Sequence, residues 1–342
     1  MNRIGMLSGG GDSPGINAAL RAVVRRAHEE DIETVGFREG WLGVIEDRSQ
    51  PLTLKDVSGI LPVGGTLLGS SRTNPFAIDG GPEKIVETYQ KNGLDVVIAI
   101  GGDDTLGVAH KLSQYDLNMV GIPQTIDNDV AETEYCIGFD SAVTAVTDAL
   151  DKLHTTAFSH HRILALEVMG RDSGWIGLLG GLAGGADVVL VPERKFKISE
   201  VQERIEKRQQ MGKSFSIIVV SEGAKPVGLE QQVTGAPEVD AFGHVKLGGV
   251  GHYIADQLSK TMNLPVRVTT LAYLQRGGSP TAFDRILATR FGVKAVELAL
   301  EGNFDKMVAI QADRIVPVEL AKVIGQTRHI DQELLKLTDL FY

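Results

Sequence analysis

Three short stretches of the chain join glycines or turn formers to carboxylates, each directly after an apolar run. The first is Ser8-Gly9-Gly10-Gly11-Asp12-Ser13-Pro14-Gly15. Its glycines leave backbone N–H groups uncovered where a helix opens, and the helix N-terminus adds a field that favours an anion. The pattern is neither Gly-x-Gly-x-x-Gly nor a loop ending in Gly-Lys-Ser/Thr, so neither a dinucleotide fold nor a P-loop ATPase is indicated. Either this is a phosphate cradle, or a tight turn in which Asp12 or Ser13 caps the helix.

The second stretch is Gly101-Gly102-Asp103-Asp104-Thr105. Adjacent carboxylates at a helix start serve as caps, or hold Mg²⁺, which takes one or two carboxylates together with phosphate oxygens and water. The third is Gln124-Thr125-Ile126-Asp127-Asn128-Asp129. In an extended segment Thr125, Asp127 and Asp129 share one face. Two carboxylates on one face suit a metal, or a base set against a substrate hydroxyl; a solvated Asx-rich loop is the plain alternative. Cations complete the set: Arg72, Arg162, Arg171 after Met169-Gly170, Arg267, and Arg276 before Gly277-Gly278. Arginine binds phosphate bidentately, and several are needed when donor and acceptor are both phosphorylated.

Such groups must be held by regular elements, and the apolar pattern supplies them. Strands are predicted over Arg3–Ser8, Asp95–Gly101, Asn118–Ile122, Arg162–Val168, Asp187–Val191, Ser214–Ser221, Val266–Leu271 and Met307–Gln311. Helices are predicted over Ile16–Glu30, Gly81–Lys91, Thr105–Ser113, Ala142–Ala157, Ile198–Met211, His252–Met262 and Ala282–Leu300. The strands are continuous apolar runs, as expected where both faces are covered. Alternating strand and helix makes this an α/β chain with mostly parallel sheets, whose ligands sit beyond the strand C-terminal ends. A division near Gly138 opens a second set of strand–helix units, and Gly228–Gly249 reads as irregular surface.

Bulk properties narrow the class. A net charge of −10 argues against a nucleic-acid binder. The apolar runs fall short of the ~20 residues that cross a bilayer, and the N-terminus shows no signal-peptide pattern. One cysteine, Cys136, suits a reducing compartment, so a cytoplasmic protein is expected.

Taken in order, Gly-Gly-Gly-Asp-Ser-Pro-Gly, Gly-Ser-Ser-Arg-Thr, Gly-Gly-Asp-Asp-Thr, Thr-Ile-Asp-Asn-Asp, Met-Gly-Arg, Ser-Glu-Gly and Gln-Arg-Gly-Gly-Ser-Pro resemble the 6-phosphofructokinase family across nearly the whole chain. The chain is similar to the single-length bacterial form, in the group that mixes ATP- and pyrophosphate-dependent members. The resemblance implies two similar three-layer Rossmann-like domains with the active site in the cleft between them. Residues 1–138 plus about 276–311 would bind the donor phosphate and Mg²⁺; residues 139–275 plus about 312–342 would bind fructose 6-phosphate.

By the same resemblance Asp127 is the base for the sugar 1-hydroxyl, and Asp103 is the magnesium carboxylate. Gly11, Gly102, Asp104, Thr105 and Gln124 face the donor. Arg72 and Arg171 lie over the transferring group. Thr125 touches that group, and Asp129 supports the base. Met169, Gly170, Glu222, Tyr273 and Arg276 contact the sugar phosphate. Arg162 and Arg267 reach a neighbouring active site, which implies a homotetramer or homodimer. ATP users of the family carry glycine at the position of Asp104, whose bulk and charge crowd a nucleotide α-phosphate. Pyrophosphate ends before that point, so Asp104 favours pyrophosphate. Gln124 follows neither the lysine of pyrophosphate users nor the glycine of ATP users. Ala272-Tyr273 replaces the family's Gly-His, and a tyrosine hydroxyl would stand in for the imidazole.

Overall fold

The computed structural model of the 342-residue chain describes residues 1–228, 247–262 and 265–340. Most of the stretch read as irregular surface therefore lies outside the described residues. The chain divides into two compact units: the first takes residues 1–141 and 276–326, the second the described residues of 142–275 and of 327–340.

The first unit begins β1 (Arg3–Ser8), α1 (Ile16–His28), β2 (Glu33–Phe37), α2 (Gly40–Ile45), β3 (Ser49–Leu52), α3 (Gly81–Lys91), β4 (Val96–Gly101), α4 (Asp103–Ser113) and β5 (Met119–Pro123). Helix α5 (Phe139–His160) carries the chain into the second unit, which forms β6 (Ile163–Val168), α6 (Trp175–Ala183), β7 (Val188–Leu190), α7 (Ile198–Gln210), β8 (Ser216–Ser221), α8 (Val250–Met262) and β9 (Val266–Thr270). Then α9 (Ala282–Leu300), β10 (Lys306–Gln311), β11 (Arg314–Glu319) and α10 (Leu320–Val323) return to the first unit, and α11 (Gln332–Leu340) ends in the second.

Among the described residues the first sheet runs β11-β10-β5-β4-β1-β2-β3, parallel except for its two edge strands. Its faces are filled separately. Ile4, Met6, Ile98, Ile100, Val120 and Ile122 pack with α1 and α9 on one side. Leu7, Phe37, Val97, Ala99 and Met119 pack with residues of α2, α3 and α4 on the other. Alternate residues of one apolar strand serve opposite layers, which is why these strands read as unbroken apolar runs. The second sheet, β7-β8-β6-β9, is wholly parallel. Ile163, Ala165, Ile218 and Val220 meet α7 and α8 on one face, and α6 covers the other, its Gly181 facing Val189 and Val219. The fold class is thus α/β with two Rossmann-like, three-layer units.

Residues 312–326 belong to the first unit, whereas the sequence reading assigns them to the second. The reason is β11, which folds back on β10 over six paired positions from Lys306↔Glu319 to Gln311↔Arg314. The hairpin turns at Ala312 and Asp313, both with positive φ (47° and 62°), a conformation that a search for glycine-based turns does not find.

Candidate active site

Strands β1, β4 and β5 are neighbours in one parallel sheet, so their C-terminal ends bring the three glycine and carboxylate stretches side by side. The Gly9 N–H donates to the Ile100 carbonyl (2.9 Å), and the Gln124 N–H to the Gly101 carbonyl (2.9 Å). A fourth segment joins them: the Gly10 N–H donates to Ser71 O (3.1 Å), and Ser70 Oγ to Gly10 O (2.6 Å). Arg72 therefore follows a segment laced to the glycine loop.

The loop's glycines lie at close approaches to neighbouring side chains. A Cβ on Gly9 would stand 2.7 Å from Thr105 Oγ1, and one on Gly11 would stand 2.4 Å from Arg276 Nη1. Gly15, at φ 110°, is the N-cap of α1, with no side chain capping the helix. Asp12 and Ser13 are therefore not caps. Ser13 is fully buried and donates to Ile137 O (3.3 Å). Arg276 donates from Nη1 to Asp12 O (3.1 Å), which places it on the glycine loop within the first unit.

Two side chains assigned to the donor are used inside the protein instead. Gln124 is 1% exposed, and its Nε2 donates to Gly11 O (3.0 Å) and Ser13 Oγ (2.9 Å). Its Oε1 has no partner among the described residues. Both of its N–H groups are thus committed to holding the glycine loop, and neither remains for phosphate. Thr105 is 3% exposed, wedged between Gly9 and Gly101, where a Cβ on Gly101 would come 2.5 Å from its own Cβ. In each case burial turns a side chain read as facing the donor into a support for the glycine loop.

Asp103 and Asp104 lie half-buried in the first turn of α4, where the N-terminal field favours carboxylates. Asp103 Oδ1 accepts from the Gly325 N–H (3.3 Å). Among the described residues no group of three or more His, Cys, Asp or Glu side chains is arranged to hold a metal. A pair of half-buried aspartates beside a glycine junction still fits Mg²⁺, which takes its remaining oxygens from phosphate and water.

The Asp127 segment is not extended. It turns at Ile126 and Asp127, and Asn128 takes a positive φ of 53°. Burial nevertheless alternates: Thr125, Asp127 and Asp129 are half-buried, while Ile126, Asn128 and Val130 are buried. The turn is held locally, because the Asp127 N–H donates to Thr125 Oγ1 (3.2 Å). Asn128 anchors it, with Nδ2 donating to Glu134 O (3.1 Å) and Oδ1 accepting from the Cys136 N–H (2.9 Å). A Cβ on Gly102 would lie 3.8 Å from the Thr125 Cβ, so the Asp103–Asp104 junction adjoins this turn.

Below the loop lies a group that the sequence reading does not single out. Asp284 is fully buried at the start of α9; it accepts from the Gly138 N–H (3.0 Å), the Ser141 N–H (2.8 Å) and Ser141 Oγ (2.6 Å). Loss of water raises its pKa to about 6 despite those donors. A Cβ on Gly138 would come 2.3 Å from Ser13 Oγ, so this network backs the glycine loop.

The second unit builds its own cluster at the C-terminal ends of β6 and β8. Glu222 N–H donates to Val168 O (2.8 Å), and Gly223 N–H to Gly170 O (3.0 Å). A Cβ on Gly223 would stand 1.8 Å from the Arg171 carbonyl oxygen, so only glycine fits. Met169 N–H donates to Oε1 of the fully buried Gln275 (3.2 Å). The structure thus brings together Met169, Gly170, Arg171 and Glu222. Tyr273 lies two residues before Gln275 and is 75% exposed. Arg162 and Arg267 are elsewhere: one precedes β6, and the other is exposed near the start of edge strand β9, opposite Leu164. With ~3.3 Å per strand residue, roughly 20 Å separates them from the Met169–Arg171 loop.

Comparison with known proteins decides the family. The model described as "Phosphofructokinase" matches residues 3–299. The chain belongs to the phosphofructokinase family. Its relatives include a pyrophosphate–fructose 6-phosphate 1-phosphotransferase of Amycolatopsis mediterranei, 50% identical over 343 residues, with 99% of each chain covered. They also include an ATP-dependent 6-phosphofructokinase of Corynebacterium efficiens, 44% identical, covering 97% of this chain and 96% of that one. The solved phosphofructokinase of Pichia pastoris in the T-state superposes with a TM-score of 0.86 at 29% identity. This family member covers 39% of that longer chain and is itself covered to 99%. Among its described residues, no helix is long and apolar enough to cross a membrane.

Proposed function

We propose that this phosphofructokinase-family enzyme transfers a phosphoryl group from pyrophosphate to the 1-hydroxyl of fructose 6-phosphate. The observation that carries the reading is the convergence, on adjacent parallel strands of one unit, of the glycine loop, the Asp103–Asp104 junction and the Asp127 turn. Oxygen 1 of the sugar attacks the terminal phosphorus, the bond from that phosphorus to the bridging oxygen breaks, and inorganic phosphate leaves. Asp127 accepts the hydroxyl proton. The transition state is loose and spreads charge over the transferring oxygens, so positioning and electrostatics dominate. Arg72, Arg171, Thr125 and the amides around Gly11 supply that stabilisation, and Asp129 supports the base. Asp103 would hold Mg²⁺, which when bound neutralises donor charge.

Met169, Gly170, Glu222 and Tyr273 recognise the sugar phosphate from the second unit. Arg276 serves the glycine-loop side. Arg162 and Arg267 serve a neighbouring subunit's site, in a homotetramer or homodimer, since within one chain they lie far from the Met169–Arg171 loop. Fructose 1,6-bisphosphate formed this way belongs to glycolysis, in keeping with a cytoplasmic setting. Asp104 favours pyrophosphate by charge and bulk, as does the 50% identity to pyrophosphate-named relatives. Purified protein with Mg²⁺ and fructose 6-phosphate should form the bisphosphate when pyrophosphate is supplied. Turnover with ATP alone would reverse the donor assignment.

A further inference from the structure

The segment that leads into α11 lies against the loop that carries Arg171. The Arg328 carbonyl accepts from Ser173 Oγ (3.1 Å) and from Trp175 Nε1 (3.1 Å). Its guanidinium lies 4.2 Å from the centre of the Trp175 ring. One oxygen of Glu193 accepts from both the Gly174 N–H (3.0 Å) and the Ile330 N–H (3.2 Å), so a single carboxylate ties loop to tail. Ile330, 4% exposed, anchors the tail from below. All of these residues belong to the second unit.

The six residues between β6 and α6 include two glycines, with Gly170 at φ 137°. Glycine-rich connections carry the most backbone freedom, and ordering them on binding costs affinity. A long arginine side chain is only as well aimed as its backbone. Contacts from outside the loop remove that freedom before any ligand arrives.

We propose that residues 327–330 form a strap that fixes the Met169–Gly174 loop, with Glu193 and Arg328 as positioning residues for Met169 and Arg171. The inference rests on the reading of that loop as a sugar-phosphate contact. Neither Glu193 nor Arg328 touches substrate. Their effect falls on acceptor affinity through Met169 and on turnover through Arg171, while the donor cradle lies with other residues.

The test compares Arg328→Ala, Arg328→Lys and Glu193→Ala with wild type, by steady-state kinetics, thermal midpoints and hydrogen exchange of residues 169–175 without substrate. Arg328→Ala and Glu193→Ala should raise KM for fructose 6-phosphate by about three- to tenfold, the size of one cation–π or charged hydrogen-bond contact. The kcat should fall by about the same factor, because Arg171 is less well aimed at the transferring group, while the donor KM stays within about twofold. Exchange at 169–175 should accelerate, and Arg328→Lys should recover much of the loss because an ammonium also stacks on indole. An unchanged acceptor KM in both alanine variants would overturn the strap. So would donor and acceptor KM rising together with a fallen midpoint, the mark of a merely structural role. If wild type turned over no fructose 6-phosphate with any donor, the functional reading would fail instead. Exchange would still decide on the strap, since unaltered protection of 169–175 rejects it.

Discussion

The side-chain amide of Gln124 donates to the carbonyl of Gly11 at 3.0 Å, and so ties the end of β5 to the loop after β1. The same nitrogen meets Ser13 Oγ at 2.9 Å. Residue 124 therefore holds the shape of the glycine loop, and on the proposed function it acts on the donor only through that loop. Gln124→Glu should be worse than Gln124→Ala. A carboxylate facing the Gly11 carbonyl sets acceptor against acceptor in a buried site, costing about 1–3 kcal/mol. Thermal unfolding of the two variants checks the order. The donor KM should rise in both, while the fructose 6-phosphate KM stays within about twofold.

Gly11→Ala probes the same loop from its open side. The new Cβ would meet Arg276 Nη1 at 2.4 Å, the far end of a flexible side chain. The arginine can swing away, so the fold survives, but its bond to Asp12 O is lost. The expected outcome is a thermal midpoint within about 2 °C of wild type and a donor kcat/KM lowered about tenfold, the scale of one displaced charged hydrogen bond.

Asp284 gives a pH prediction with a definite sign. Its folded pKa, raised from 3.8 to about 6, means that the folded protein holds a proton more tightly than the unfolded chain. Its contribution is therefore most favourable below about pH 4 and is lost as pH rises through about 6, by roughly 2–3 kcal/mol. The stability difference between wild type and Asp284→Ala, measured by denaturant unfolding from pH 4 to 7, should shrink over that window. Asp284→Asn should be destabilised at neutral pH, because its NH₂ would face a backbone N–H of Gly138 or Ser141.

Much of this was legible in the residues themselves. Apolar runs such as Val96–Gly101 and Met119–Pro123 mark buried parallel strands wherever both faces are covered. A strand with a polar start, such as Glu33–Phe37, or one only four residues long, Ser49–Leu52, carries too little pattern to be seen. Helix α6, with three glycines in nine residues, is hidden for a different reason: glycine weakens helical propensity. Here Gly180 and Gly181 admit Val146 and Val189 instead. Around the site, the motif residues were visible but their directions were not. Gln124 and Thr105 look like ligands in a list and become buttresses once burial is known. Asn128, Ser13 and Asp284 matter through contacts more than a hundred residues away or through a left-handed turn, and no local pattern encodes either.

The most direct measurement is the steady-state rate of Asp127→Ser with pyrophosphate, Mg²⁺ and fructose 6-phosphate. If Asp127 takes the proton of the sugar hydroxyl, kcat should fall by about 10²–10⁴-fold while the KM for fructose 6-phosphate changes little. A variant within about threefold of wild type would show that Asp127 is not the base, and the account of the site would have to be rebuilt around another residue.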